Sequence, residues 1–229
     1  MPFIVKNTSF PSFSDLLFPY SCRGCEHLGT PLCEHCKKYI LSTHIDYCPN
    51  CKTKKTKSKC PNCHDLPPIY VVSDRNGLIG KLIHDYKYNS VRALSQPLAE
   101  LLSEVLPKDL PKNAFLVPIP TATHHIRSRG FDHTLLLAKR LSRIRNIKTK
   151  PILLRAKNTV QVGSNRSERL SKAANAYEIN PKIIPEKDAT YILIDDVWTT
   201  GASVLSAISK LQSTGIKNII VALLAYSSN

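Results

Sequence analysis

Apolar runs with no helical period alternate along the chain with stretches whose apolar positions recur every three or four residues. Tyr191-Ile192-Leu193-Ile194 is unbroken, the pattern of a strand buried on both faces in the middle of a parallel sheet. Val204, Leu205, Ile208 and Leu211 then fall on one side of a helix, with Gly215 placed to end it. Further strands are predicted over residues 69–73, 115–117, 151–154 and 219–224. Residues 77–106 predict two helices. Ile79, Leu82, Ile83 and Tyr86 stripe the first, and Leu94, Leu98, Leu101, Leu102 and Val105 the second. Leu135, Leu136 and Leu137 begin another, Arg140 to Lys150 are read as its exposed side and exit, and residues 178–189 form a polar connector. This alternation predicts an α/β fold, a parallel sheet flanked by helices.

Asp195 and Asp196 stand where the apolar run ends, the edge at which open α/β sheets bind ligands. Thr199-Thr200-Gly201-Ala202-Ser203 follows and opens a helix, offering hydroxyls, free backbone N–H groups and a positive dipole end to a phosphate. Carboxylates beside a phosphate loop suit a sugar phosphate. No G-x-x-x-x-G-K-[ST] run occurs, which disfavours a P-loop nucleotidase.

All eight cysteines precede residue 64, as four C-x-x-C pairs: Cys22/Cys25, Cys33/Cys36, Cys48/Cys51 and Cys60/Cys63. In a chain without an export signal, that spacing predicts two closed four-thiolate zinc sites, structural because no ligand position is left for water. Sequential pairing closes the shorter loops and is favoured; an interleaved cross-brace is the alternative. His27, His35, His44 and His64 are read as bystanders. Residues 1–66 are expected to hold a short apolar lead-in and this small Cys-rich module, and residues 67–229 the sheet domain, with Pro67-Pro68 at the boundary.

At 229 residues the chain has room for one α/β domain and one small module. No apolar run approaches a membrane span, so the expected location is the cytoplasm, extending to the inner face of the membrane. Thirty-two Lys and Arg against 17 Asp and Glu leave a net charge of +15, which points to a polyanionic partner, most simply nucleic acid. Candidate phosphate-backbone contacts are Lys54, Lys55 and Lys57 between the last two knuckles, then Arg143, Arg145, Lys157, Arg166 and Arg169. The last three belong to a polar, basic stretch, residues 155–173, read as a flap. Tyr86, Tyr88 and Tyr177 are candidates to stack bases.

Residues 192–197 followed by 199–203 resemble the phosphoribosyl pyrophosphate (PRPP) motif of type I phosphoribosyltransferases, with Trp198 at a position more often small or aliphatic. The resemblance implies that Asp195 and Asp196 hold the ribose at the catalytic centre and that residues 199–203 wrap the 5′-phosphate. It further implies a pyrophosphate loop at Thr121 after Val117-Pro118-Ile119-Pro120, a lysine-tyrosine segment containing Lys87, and a diphosphate gripped by Arg127 and Arg129. Four cysteine knuckles ahead of such a motif, with Arg129-Gly130-Phe131, Gln161, Arg169 and Asn175-Ala176-Tyr177, are similar to the ComF/GntX family of competence-associated proteins. Here Asp132-His133 replaces that family's usual Asn-Gln. The family resemblance implies a zinc-ribbon module before a phosphoribosyltransferase-like domain, two zinc ions, Mg²⁺ with PRPP, and single-stranded DNA handled during natural transformation beside the DNA-uptake machinery. The alternative is a metabolic phosphoribosyltransferase acting on an unidentified base or amine. Nothing in the sequence marks a general base or an acceptor pocket, so enzymatic activity is left open.

Overall fold

The computed structural model describes residues 20–54, 60–156 and 176–227. A short helix, α1 (Glu34–Ser42), lies among the cysteines. The main body follows as β1 (Ile69–Asp74), α2 (Leu78–Tyr88), a 3₁₀ turn (Arg92–Leu94), α3 (Ser95–Val105), β2 (Ala114–Pro118), α4 (Thr123–Arg129), α5 (His133–Arg145) and β3 (Lys148–Thr149). Then come β4 (Leu153–Arg155), β5 (Tyr177–Ile179), β6 (Thr190–Trp198), α6 (Ala202–Gln212) and β7 (Ile219–Tyr226). Five strands form one parallel sheet in the order β1-β7-β6-β2-β3, while β4 and β5 pair antiparallel in a small second sheet.

The pleat of β6 explains why its sequence is apolar without alternation. Ile192 and Ile194 pack into a core with Leu82 of α2, Leu98 of α3 and Leu137 of α5. Tyr191 and Leu193 face the other way, into a second core with Ala207, Ile208 and Leu211 of α6. All four are fully buried, so each face of the strand has its own helix layer. The cysteine-rich part joins the first core directly: Cys22, Leu32, Cys36 and Ile40 pack with Ile79 and Leu82. Thr43 Oγ1 and Ser73 Oγ, 2.7 Å apart, and the edge-on rings of Tyr47 and Tyr226 tie it to β1 and β7.

Several expected elements take another form. β6 runs three residues past Asp195 to Trp198, because its ladder with β7 continues to Tyr226. The expected strand near residue 153 exists but pairs with β5 outside the main sheet, and β5 takes the start of the expected polar connector. Lys148 is not a helix exit; with Thr149 it forms an edge strand beside β2. Residues 123–129 form a helix, ended by Gly130 in the left-handed conformation at φ 74°. Tyr86 cannot stack on a base: it is fully buried and donates its hydroxyl to the His133 carbonyl at 2.8 Å.

Candidate functional site

A cleft of about 400 Å³ opens where β1, β2 and β6 end. It is bordered by Asp195, Asp196, Thr199 and Ser203 from β6 and the start of α6, by Thr121 after β2, and by Lys87 of α2. Arg129 and His133 complete one side, and Arg155 and Tyr177 of the small sheet the other.

The strand pleat parts the two aspartates. Asp196 shares the parity of Ile194 and turns toward α2 and α5. Its Oδ2 lies 2.6 Å from Lys87 Nζ and 2.8 Å from His133 Nε2, and the residue is buried. Burial alone would raise this carboxyl, but the His133 hydrogen bond and the Lys87 charge win and hold it well below the usual carboxylate range. Asp195 shares the parity of Leu193 and is half-buried on the other side, its Oδ1 accepting from the Asp196 N–H at 2.9 Å. Burial, then the Asp196 charge, pushes it up to about 8.

His133 is the residue that sequence reasoning left without a role. Its Nδ1 lies 3.0 Å from Arg129 Nη1 and 3.2 Å from Thr121 Oγ1. A guanidinium only donates, so Nδ1 accepts and Nε2 carries the proton, on the side that faces Asp196. A signal was present. Asp132 caps α5 by accepting from the Leu135 N–H at 3.1 Å, which puts His133 first on the core stripe of Leu137 and Leu141. A histidine on such a stripe needs a polar partner.

The phosphate loop is held from below. Gly201 sits at φ 76°, and a Cβ there would collide with the indole of Trp198, which is buried under the loop. Thr200 Oγ1 accepts from the Ala202 N–H at 3.4 Å, and Gly201 O accepts from the Leu205 N–H at 2.8 Å, starting α6. Thr199 and Ser203 face the cleft; Thr200 and Ala202 are exposed and do not border it. Arg129 is buried, with Tyr88 stacked at 5.2 Å, whereas Arg127 is exposed on α4 and outside the cleft lining.

The eight cysteines gather into two groups, Cys22/Cys25/Cys33/Cys36 and Cys48/Cys51/Cys60/Cys63, each with its sulfurs within 4.8 Å of one another. Such a set fits tetrahedral zinc. Burial works to raise the Cys22 thiol, but N–H groups of Cys33, Cys25 and Gly24 pull it down to about 6. Thr53 lowers Cys51 likewise to about 6, while burial drives Cys48 up to about 12. Each group thus sets a lowered thiol beside a raised one, Cys22 with Cys36 and Cys51 with Cys48, and a bound metal cation would favour the thiolate form of both. The first group packs on α2: Arg23 Nε lies 3.9 Å from Asp85 Oδ2, and a Cβ on Gly24 would lie 2.9 Å from Leu78 Cδ2.

Of the proposed nucleic-acid contacts, Lys54 and Arg143 are exposed. Arg145 donates to the carbonyls of Ser103 and Lys108, at 3.0 and 3.1 Å, and to that of Pro107. Lys55, Lys57, Lys157, Arg166 and Arg169 lie outside the described residues, as do most of the lead-in, residues 157–173 of the expected flap, Gln161 and Asn175. Among the described residues no helix is long and apolar enough to cross a membrane.

No family model matches the chain. It is 30% identical over 221 residues to competence protein F of Haemophilus influenzae, covering 87% of this chain and 93% of that protein. Competence protein ComFC of Streptococcus pneumoniae is 27% identical over 214 residues, covering 91% and 90%. DNA utilization protein YhgH of Escherichia coli K12 is 27% identical over 199 residues, covering 80% and 85%.

Proposed function

Since this chain belongs to the ComF/ComFC family of competence protein F, we propose that it binds single-stranded DNA and assists its handling in the cytoplasm after uptake, and that its cleft receives PRPP. The observation that carries the cleft reading is Asp195, half-buried at the carboxyl end of β6, beside a hydroxylated loop that opens α6. Asp195 would accept from the ribose hydroxyls. The loop from Thr199 to Ser203, with the first N–H groups of α6, would hold the 5′-phosphate. Arg129 and Thr121 stand on the side where a diphosphate would lie, and Lys87 would join them on leaving Asp196. Magnesium bound with PRPP would neutralise the diphosphate and assist its departure, and Asp195 is the carboxylate in reach of such a complex. A net charge of +15 and the names of the relatives support the DNA part of the reading. In this reading residues 1–66 hold the lead-in and a zinc-ribbon module, and residues 67–229 the PRPP domain.

The test is calorimetric titration of Mg-PRPP into wild type and Asp195→Asn, with a labelled oligonucleotide titrated into the same preparations. We expect saturable heat from wild type, affinity weakened about ten-fold or more in the variant, and DNA binding that falls as salt rises in both. No heat from wild type ends the cleft reading. No DNA binding at low salt ends the DNA reading. Pyrophosphate released from PRPP with a panel of bases would favour the metabolic transferase instead.

A further inference from the structure

At the amino edge of the sheet, where β2 and β3 begin, lies a groove of about 330 Å³ whose lining includes Lys108, Lys112, Arg145 and Lys148. The single carboxylate among its described lining residues is Glu186, whose Oε1 is already 2.7 Å from Lys150 Nζ. Lys108, Lys112 and Lys148 are exposed and enter no ion pair among the described residues. Three cations facing one concavity without partners repel one another, and an added anion relieves that repulsion.

The walls are built. Arg145 ties α5 to the Ser103, Pro107 and Lys108 carbonyls and so fixes the loop between α3 and β2. Asn113 Nδ2 donates to the Asp188 carbonyl at 3.0 Å and fixes the far wall. On α5, Lys139 and Arg143 are exposed one turn apart and extend the basic surface from Arg145. The aromatic side chain in the lining, Phe115, carries Lys150 over its ring at 4.3 Å, so the groove presents charge rather than an open stacking face.

We propose that this groove is the track for the phosphates of single-stranded DNA, on the opposite edge of the sheet from the cleft. The proposal rests on the reading that the protein binds such DNA, and it adds the place. β2, five residues and so about 17 Å long, separates the two edges. A strand in the groove therefore leaves the cleft open, and both ligands bind at once. Contact through phosphates makes recognition indifferent to sequence and strongly dependent on salt.

The test uses the full chain with zinc and fluorescein-labelled oligothymidine, read by polarisation over a salt series. Wild type is compared with Lys108→Glu/Lys112→Glu/Lys148→Glu and with a charge-matched control, Lys38→Glu/Lys81→Glu/Lys182→Glu. We expect the groove variant to bind about ten-fold weaker or worse and the control to stay within about three-fold. The groove variant's plot of log affinity against log salt should be shallower by about two, at roughly 0.7 per lost single-strand phosphate contact. Equal loss in both triple variants overturns the groove while leaving DNA binding standing; wild type that fails to bind overturns both. Should the groove variant not fold, lysine methylation of wild type with and without the oligonucleotide decides. Protection of Lys108, Lys112 and Lys148 supports the track, and protection confined to other lysines overturns it.

Discussion

Lys87 Nζ and Asp196 Oδ2 lie 2.6 Å apart, joining a helix from the first half of the chain to the central strand near its end. Both groups are largely withdrawn from water, with side-chain exposures of 19% and 6%. Replacing Lys87 by Met leaves a buried carboxylate with His133 as its remaining partner. We expect a loss of about 2–3 kcal/mol in urea denaturation, below the roughly 3–5 seen when a fully buried pair is broken. Lys87→Met with Asp196→Asn should cost less than the two single losses added together, because the double variant strands no charge. Strict additivity would show that the contact is energetically idle.

Asp195 and Asp196 give opposite pH dependences. Asp195, raised by burial and by its neighbour's charge, keeps a proton in the folded chain that the unfolded chain has already lost. Its contribution is therefore present at low pH and declines as pH rises from the ordinary carboxylate range toward about 8, at no more than about 1.4 kcal/mol per pH unit. Asp196, lowered, contributes above the ordinary range and loses that contribution as the solution is acidified below it. Asp195→Asn should flatten the decline between neutral and mildly acidic pH and leave the acid limb intact. Unfolding free energies across that range decide it.

If Mg-PRPP binds, the same ionisation enters its affinity. The Mg²⁺ ion and the ribose hydroxyls both favour the ionised carboxylate, so affinity should climb as pH rises toward about 8 in wild type and stay level in Asp195→Asn. A wild-type affinity independent of pH would remove Asp195 from the binding step.

Gly201→Ala should destabilise the chain by about 2–3 kcal/mol, combining a strained positive φ with a collision against the indole of Trp198. Trp198→Leu frees the space but not the backbone. The double variant should therefore fall short of the summed losses, by thermal melting, and should not regain wild-type stability.

Displacement of metal by a mercurial, followed with a chromogenic zinc chelator, should release two equivalents per chain, one for each cysteine group. The two sites should differ in reach. Cys36 packs in the same core as Leu82 and Ile83, whereas Cys51 is exposed. Cys36→Ser should lower the melting temperature more than Cys51→Ser and raise hydrogen exchange in α2. Equal effects would mean that the first cysteine group does not brace that helix.

The parts of this fold legible in sequence are those decided over short distances. The run 191–194 announces a strand covered on both faces, and the cysteine spacing announces four knuckles, because strand pleat and C-x-x-C turns are local. Asp195 and Asp196 read as one unit for the same reason, yet the alternation that makes β6 apolar throughout sends them to opposite sides. Which side each would meet depended on Lys87, His133 and Ser203, and no local signal pairs those residues with the strand. Tyr86 shows the same limit. Its position on the α2 stripe was visible, but the carbonyl that takes its hydroxyl belongs to α5. Residues 123–129 lack an apolar period, so their helix is written in Gly130 and in the tertiary fit rather than in a stripe.

The sheet order has a bearing on how the chain is made. β1 touches one neighbour in the main sheet, and that neighbour is β7. While a ribosome is still adding residues 75–218, β1 has been synthesised but its edge has nothing to zip against, and Val71, whose core is built mostly from residues after 176, stays open to wrong partners. Assembly therefore waits on the strand translated last among the five, and a nascent chain stalled before Ile219 should be a client for holding chaperones rather than a half-built fold.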